Sequence, residues 1–498
     1  MLLPLAAVLS MMHYEADVPT SGGDYVDVEF VVPAGTREIQ IRHTDGSEAV
    51  ILDWGVWSPE GFRGWGGGTE DAVIGIEQSS RSYLPGPITP GTWIVAIGKA
   101  KLDAAGGHYA IDVICRDDVT LAVRPKATYE PRVLATGRRW YKGDFHVHSA
   151  ESGDANASFD QIATLARSRG LDFVNLSDHN TSSHLALAAA AQPAHADVLF
   201  LRGAEITTYA GHGNAVGLAS YVDHRIGFRG RTIEGVLGDV AAQGALFIVN
   251  HPTLDLGDNC LGCAWLHPTT PWDQVAGLEI LTGPWNLVER VFTPRALEMW
   301  DGLLADGHRI AAIGGSDDHR AGTGTGLTDS PIGSPTTLVL ADELSEAAIM
   351  EGIRRGRTIV QLRGPDDPLV EMTVGDAQIG DETTAGIAEV AVRITGGAGT
   401  FVQLWRDGEK RAQVAVTSDA FRHTFEDEPG AGQQRRYRVE LINDANNRLV
   451  VTSHIYVTGT DAGGGCCDGG AGTGTLLAAL VPLALLVRRR RLAFPVRR

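Results

Sequence analysis

Basic side chains are in short supply here: 42 lysines and arginines stand against 61 aspartates and glutamates, a formal net charge of −19. A body this acidic repels phosphate backbones and anionic lipid, which excludes nucleic-acid binding as its main task. Cysteine is scarcer still. There are five in 498 residues, with a single Cys-x-x-Cys at Cys260 and Cys263. A thiolate zinc ribbon needs two such pairs, and this one lies in a loop rather than at a strand-to-helix turn, so it reads as a structural disulfide rather than a redox centre. Long apolar runs are also missing. The longest, Leu476–Val487, has twelve residues and contains Pro482; as helix it spans roughly 18 Å, against roughly 30 Å of bilayer core. The chain has no Walker-type phosphate loop and no Ser-His-Asp constellation, so nucleotide hydrolysis and serine-type acyl transfer have no machinery.

What is present divides the chain. A length of 498 residues suggests two to four domains, and 61 glycines suit loop-rich β domains flanking an enzyme. From 24 to 124, alternating runs such as Val26–Val32, Glu38–Arg42 and Trp93–Ile97 are separated by Pro/Gly/Asp turns, the pattern of a β-sandwich. Its aromatic stretch, Trp54 to Trp65, reads as sandwich core, with a ligand-binding face as the other possibility. From 138 to 363 strand-like runs alternate with helical ones. Ser158 to Gln161 forms a capping box closed by Gly170, and helices are expected near 232–243, 287–306 and 343–355. Repeated β-α units of this kind predict a parallel α/β barrel with its chemistry at the C-terminal strand ends. From 366 to 460 alternation returns, giving a second β-sandwich.

Metal-ligand side chains cluster in the middle region, mostly at the ends of strand-like runs. The clusters are Gly143 to Ser149, Ser177 to Asn180, Gly203 to Glu205, Gly211 to Asn214, Asn250 to Pro252 and Gly315 to His319. Imidazole and carboxylate are the ligands of divalent metals in hydrolases, and scattered structural histidines would not recur at strand ends. Side chains two apart on a strand share a side, so His146 and His148 face one pocket, and Asp317 and His319 project together. Asp178 and His179 are neighbours, so His179 is the expected ligand and Asp178 orients a neighbour. Glu279 is a candidate for the same supporting role. Arg320 either binds an anionic group of the substrate or is a surface arginine; His184 either lines the entrance or is an exposed helical histidine.

These ordered motifs resemble the PHP superfamily (polymerase and histidinol phosphatase), and within it the CehA/McbA-type metallohydrolases. The resemblance implies an α/β fold: a distorted (β/α)7 barrel flanked by N- and C-terminal β-sandwich domains. It further implies two or three divalent metal ions, zinc, manganese or iron. One would be held by His146, His148, Glu205 and Asp317; a second would share Glu205 and add His212 and His251; a third would use Asp154, His179 and His319. At that third site the family's Ser-Asp-Gly is replaced by Ser152-Gly153-Asp154, so either Asp154 or Glu151 supplies the acid. Glu205, Asp317, Asp178 and Arg320 are the expected catalytic residues. The expected reaction is hydrolysis of a phosphoester, or of a carboxyl-type ester, carbamate or amide, in a small-molecule substrate by a metal-bound hydroxide. The alternative is a non-catalytic surface protein with glycan-binding sandwiches.

Both ends carry addressing signals. Residues 1–13 form a short apolar stretch without a basic start, a weak or truncated signal peptide. In 461–498 a Gly-rich linker leads to Cys466-Cys467, the short apolar run and Arg488–Arg491. That order resembles the MYXO-CTERM class of sorting tags, which implies export and retention at the cell surface or outer membrane. A simple C-terminal anchor with positive-inside arginines gives the same compartment, with the tail in or at a membrane.

Overall fold

The computed structural model describes residues 8–461 apart from residue 48. The tail from 462 onward, including Cys466, Cys467 and the Arg488–Arg491 cluster, lies outside the described residues. No helix among the described residues is long and apolar enough to cross a membrane.

Alternating burial builds the N-terminal region from two four-stranded antiparallel sheets. One runs Val8–Val18, Gly107–Arg116, Glu38–Thr44, Asp71–Gly75; the other runs Tyr25–Val32, Gly91–Lys101, Ile51–Ser58, Gly61–Gly67. Their facing sides share one core, in which Phe30, Trp54, Trp93 and Val95 of one sheet meet Ile39, Ile41, Ile111 and Val113 of the other. Residues 8–13 pair with Asp112 to Arg116 as the first half of an edge strand, so the sheet starts before the expected boundary at 24.

The central region is mixed α/β, but its strands fall into two sheets with several antiparallel pairs, rather than the wholly parallel ring expected. Leu199–Leu201, Phe173–Leu176 and Ala135–Val147 lie parallel, and Thr336–Leu344 then pairs antiparallel with Ala135–Val147 and with Thr358–Gln361. The second sheet opens on a hairpin, Gly203–Thr208 with Gly211–Val216, and continues through Leu246–Val249, Val275–Thr282 and Ala311–Gly315. Only Tyr209 and Ala210 link the hairpin strands, too short a connection for a parallel crossover. Phe145, Phe173, Ile248 and Ile313 from both sheets fill the core between them. The sheets meet at two seams, through isolated bridges His179–Glu205 and Val147–Asp318. Both seams lie at strand ends that carry the ligand-type residues.

Helices cover the outside. Ser158 caps Phe159–Ser168 with the full reciprocal capping box. Gly170, at φ +69°, ends the turn before the next strand. The helix expected over 287–306 is broken: Trp285–Val288 ends early, and Thr293–Ala305 starts afresh with a proline in its first turn. The Ala-rich helix Ser183–Ala191 carries His184, the helical placement considered for that histidine.

The expected boundary at 363–366 is not a break in hydrogen bonding. Thr358–Gln361 pairs with Arg448–Thr452, so the first central sheet continues through Gln434–Ile442 and Phe401–Arg406 to Glu409–Ala415. A separate four-stranded sheet containing Leu369–Val374 and Ala388–Thr395 packs over this extension. Its inward residues Val370, Val390, Val392 and Ile394 meet Val402, Leu404, Val439 and Leu441.

Candidate metal centre

His146 and His148 leave the end of Ala135–Val147 on one side, while Phe145 and Val147 enter apolar cores on the other. Asp317 follows the end of Ala311–Gly315, where its backbone N–H donates to His146 O (2.9 Å). Asp317 Oδ1 lies 3.2 Å from His146 Nε2 and 3.1 Å from His148 Nε2. Glu205, fully buried in the second sheet, stands at the middle of the whole array. Its Oε2 is 3.4 Å from His146 Nε2, 3.6 Å from His148 Nε2 and 2.9 Å from His179 Nδ1. Its Oε1 is 3.4 Å from both His212 Nδ1 and His251 Nε2. One carboxylate thus presents a different oxygen to each of two histidine sets.

A third set lies toward the opening. Asp154 Oδ2 is 3.4 Å from His179 Nε2 and 3.3 Å from His319 Nε2, and those two nitrogens are 3.5 Å apart. Glu151, the other acid considered for this place, points elsewhere: Arg124 and Ser183 bind its carboxylate. Ligand-type atoms of His146, His148, Glu205 and Asp317, and separately of His148, His179 and His319, lie within 4.8 Å of one another. Cys263 comes equally close to His212 and His251 but is disulfide-bonded to Cys260, so its sulfur offers no thiolate.

The supporting contacts fix which ring nitrogen faces inward. Glu279 Oε1 pairs with His146 Nδ1 (3.0 Å), while its Oε2 accepts from the His251 N–H (2.9 Å). The Leu261 and Cys263 carbonyls face His212 Nε2 (3.1 Å) and His251 Nδ1 (3.2 Å), so the disulfide loop orients both rings. Asn250 Nδ2 donates to Glu205 Oε1 (2.9 Å). Asp144, wholly buried, accepts from the backbone of His146 and Ser316 (both 3.0 Å) and of Gly333 (2.6 Å), tying two ligand segments together. Burial lifts its carboxyl to about 6 despite those donors. At Gly315 a methyl group would sit 2.4 Å from His146 Cβ and 2.7 Å from Glu279 Oε1, so the approach of these strands requires glycine. Non-glycine residues in the left-handed region gather here too: Asn180 (φ +48°), His251 (+28°) and Asp317 (+60°). Each costs about 1–3 kcal/mol, the kind of strain that clusters at functional sites.

The electrostatics fit the same division. Burial disfavours charge on Glu205 and Asp317, yet the facing imidazoles, His146 above all, hold both carboxyls well below the usual range. Burial likewise opposes charge on His146 and His179, but Asp317 and Glu205 raise the first well above an ordinary imidazole, and Asp154 and Glu205 the second. His148 is pushed down to about 3 by burial and by His319 and His179. Divalent cations fit these donors. His146 Nε2 and Glu205 Oε2 are completely buried, face one another's sets, and have no hydrogen-bond partner. Leaving such atoms unpaired is costly unless something coordinates them.

Two expected residues are not at the centre. Asp178 is buried, accepts from the N–H (2.7 Å) and hydroxyl (2.8 Å) of Ser149, and pairs with His184 Nδ1 at 3.2 Å. It therefore holds the loop after His148 rather than reaching the cavity. His184 is itself fully buried, neither surface nor entrance. Arg320 is exposed, and the cavity lining does not include it. Lys142 donates to Pro365 O (2.5 Å) and is not in the cavity lining either.

A cavity of about 970 Å³ opens over the array, and the N-terminal region supplies one wall: Asp53, Trp65, Gly66 to Asp71, and Arg81. The opposite wall is apolar, formed by Leu254, Leu256, Leu261, Leu287, Val288 and Phe292. Asp53 is lifted to about 6, mainly by burial, and accepts from the Tyr209 hydroxyl (3.3 Å). The aromatic stretch from Trp54 to Trp65 is part core and part interdomain contact: Trp54 is buried, whereas Phe62 stacks on Tyr221 at 3.4 Å and Arg225 lies 3.8 Å over Trp57. Nothing in the motifs signalled this wall, because its residues lie far from the ligand clusters in sequence.

No family model matches this chain, and no curated protein matches it. Among solved structures, it is similar to a two-domain protein of Bacteroides vulgatus containing a predicted PHP-like metal-dependent phosphoesterase: 19% identity, 67% of this chain, all of the other, TM-score 0.38. A candidate metal-dependent phosphoesterase of Bifidobacterium adolescentis matches at 15% identity over 38% of this chain and 91% of its own, TM-score 0.27. The CARDB domain of a Pyrococcus furiosus protein matches at 22% identity over 18% of this chain and 94% of its own, TM-score 0.14. Likenesses this distant leave the chemistry to the residues themselves.

Proposed function

We propose that this protein is a multinuclear metal-dependent hydrolase of the PHP type, CehA/McbA-like, acting on an ester-type bond of a small molecule. The observation that carries the reading is Glu205: a fully buried carboxylate whose two oxygens face separate histidine sets, beside an unpartnered His146 nitrogen. His146, His148, Glu205 and Asp317 would hold one cation, Glu205 with His212 and His251 a second, and Asp154, His179 and His319 a third. Zinc, manganese and iron all suit such mixed donors. Cations so held supply Lewis-acid activation of water and of the bond under attack. The chain's own residues do the rest. Glu279 and Asn250 fix the rings and the shared carboxylate, and the cavity walls give the substrate a place over them.

Substrate class follows from the lining. Besides the proposed ligands Asp154, Glu205 and Asp317, whose charge the cations would offset, five carboxylates line the cavity against one arginine, Arg81, among the described residues. This disfavours a free dianionic phosphomonoester and favours a phosphodiester, carboxyl ester, carbamate or amide whose apolar part rests on Leu287, Val288 and Phe292. The non-catalytic glycan-binding alternative loses support, since Trp54 is buried and Trp57 and Phe62 of the same stretch pack against Arg225 and Tyr221. We read the two-seam ring as the distorted (β/α)7 barrel and the flanking sheet pairs as sandwiches. The 461–498 tail supports an exported protein held at the cell surface. A panel of bis(p-nitrophenyl) phosphate, p-nitrophenyl phosphate, p-nitrophenyl acetate and an aryl carbamate tests the activity. The expected result is chelator-sensitive turnover of the diester or a carboxyl-type substrate, lost in His148→Ala and Asp317→Ala. Unchanged activity and metal content in both variants would overturn the reading.

A further inference from the structure

The acid of the third set sits on an exposed loop, and what holds that loop in place is the N-terminal region. Asp154 has a side chain 58% exposed, whereas the His179 and His319 it faces are 23% and 20% exposed. A carboxylate this open stays within 3.4 Å of two imidazoles only if its backbone is fixed. Two bonds from neighbouring residues of the N-terminal region bracket it in sequence. The Ser82 hydroxyl donates to Glu151 O (2.7 Å), three residues before Asp154, and Arg81 Nη1 donates to Ala155 O (2.9 Å), one residue after. Between these anchors, Gly153 lies so close that a methyl group there would be 2.7 Å from Gly66 O. Ser82 also ties in the histidine side of the set, because Thr181 Oγ1, two residues past His179, donates to Ser82 O (3.0 Å).

Ser82 holds this place under strain. It is 1% exposed and has φ +69°, a left-handed conformation that a serine adopts at a cost. Such a residue is retained where the surrounding contacts over-determine it. We infer that Arg81 and Ser82 are positioning residues for the Asp154–His179–His319 group, so that the N-terminal region completes the metal centre rather than merely covering it. The inference rests on the metal-hydrolase reading above. It goes beyond that reading by assigning the third set's geometry to a part of the chain with no ligand of its own.

The test counts metal. Full-length protein, Ser82→Gly, Arg81→Ala and the double variant are loaded with cobalt(II), dialysed against graded chelator, and analysed for equivalents retained and for the cobalt absorption spectrum. Glycine relieves the φ +69° strain, which offsets part of the cost of losing the bond to Glu151, so Ser82→Gly is expected to remain folded. The expected result is three equivalents in the native protein. In the variants the weakest equivalent should bind about 10–100-fold more weakly, with the other two unchanged. Gly153→Ala, which pushes the loop from its own side, should give the same selective loss even if the double variant fails to fold. Selective loss of one equivalent supports the inference. Equal affinity for all equivalents, uniform weakening of all of them, or a native protein with only two overturns it. A native protein that binds none overturns the hydrolase reading itself.

Discussion

Replacing Glu205 with glutamine changes one oxygen to nitrogen and removes one charge, and the structure makes this the most damaging conservative change available. The carboxylate is 0% exposed and has imidazole nitrogens at 2.9–3.6 Å around it. A unit charge 3.4 Å away interacts with about 5 kcal/mol at an effective dielectric of about 20. The same charge is shared by two proposed cation sites. A site filled at a thousand times its Kd stabilises the fold by about 4 kcal/mol, so two contribute about 8 kcal/mol. For a region the size of the central one this is roughly 15–30 °C of metal-induced rise in Tm. Glu205→Gln should abolish most of that rise and take the two equivalents with it. Removing the charge also destabilises the metal-free protein, by about 3–5 kcal/mol, because His146 and His179 lose their partner. The informative quantity is therefore the difference between Tm with metal and Tm with chelator, measured on each protein by scanning calorimetry alongside metal analysis. A variant with undiminished rise and undiminished metal content would refute the role of Glu205 as the shared ligand.

Glu279→Gln leaves every proposed ligand in place but weakens the pairing with His146 Nδ1; metal titration should show affinity about 10–100-fold lower, and an unchanged titration would remove Glu279 from the support. His224, 1% exposed against Trp65, is pushed down to about 3, chiefly by burial, so it folds neutral. Its contribution is whole above the ordinary 6.5 and is lost as pH falls toward 3. Between pH 7 and 5 the native protein should therefore lose about 2 kcal/mol more than His224→Gln, read from urea unfolding at each pH; equal losses would contradict its buried neutral state.

Local chemistry carried much of the outcome. Periodicity and caps marked Ile233–Ala242 and Phe159–Ser168, because an amphipathic face and a capping box are properties of neighbouring residues. The i, i+2 spacing placed His146 with His148, because alternation is set by a strand's own backbone; Asp317 and His319 also meet (3.7 Å), but past the strand end and with Asp317 in the left-handed region. Long-range pairing was not legible. The link of Tyr209 and Ala210 makes a hairpin where a crossover was expected, and the Thr358–Gln361 strand pairs past the expected boundary with Arg448–Thr452. Nor could spacing choose between Asp154 and Glu151, since both are within reach of the same histidines in sequence; Arg124 and Ser183 decide it by occupying Glu151. Asp178, His184 and Arg320 carry the right chemistry, but burial and direction are fixed only by the elements packed around them. Residue types and strand alternation, both local properties, identify which side chains could bind metal and on which side of a strand they stand. Tertiary structure alone decided that Glu205 faces two histidine sets and that Arg81 and Ser82, some seventy residues away, close over the third. Side-chain alternation is a local consequence of backbone geometry, whereas a shared ligand and a cavity wall exist only once distant segments have packed.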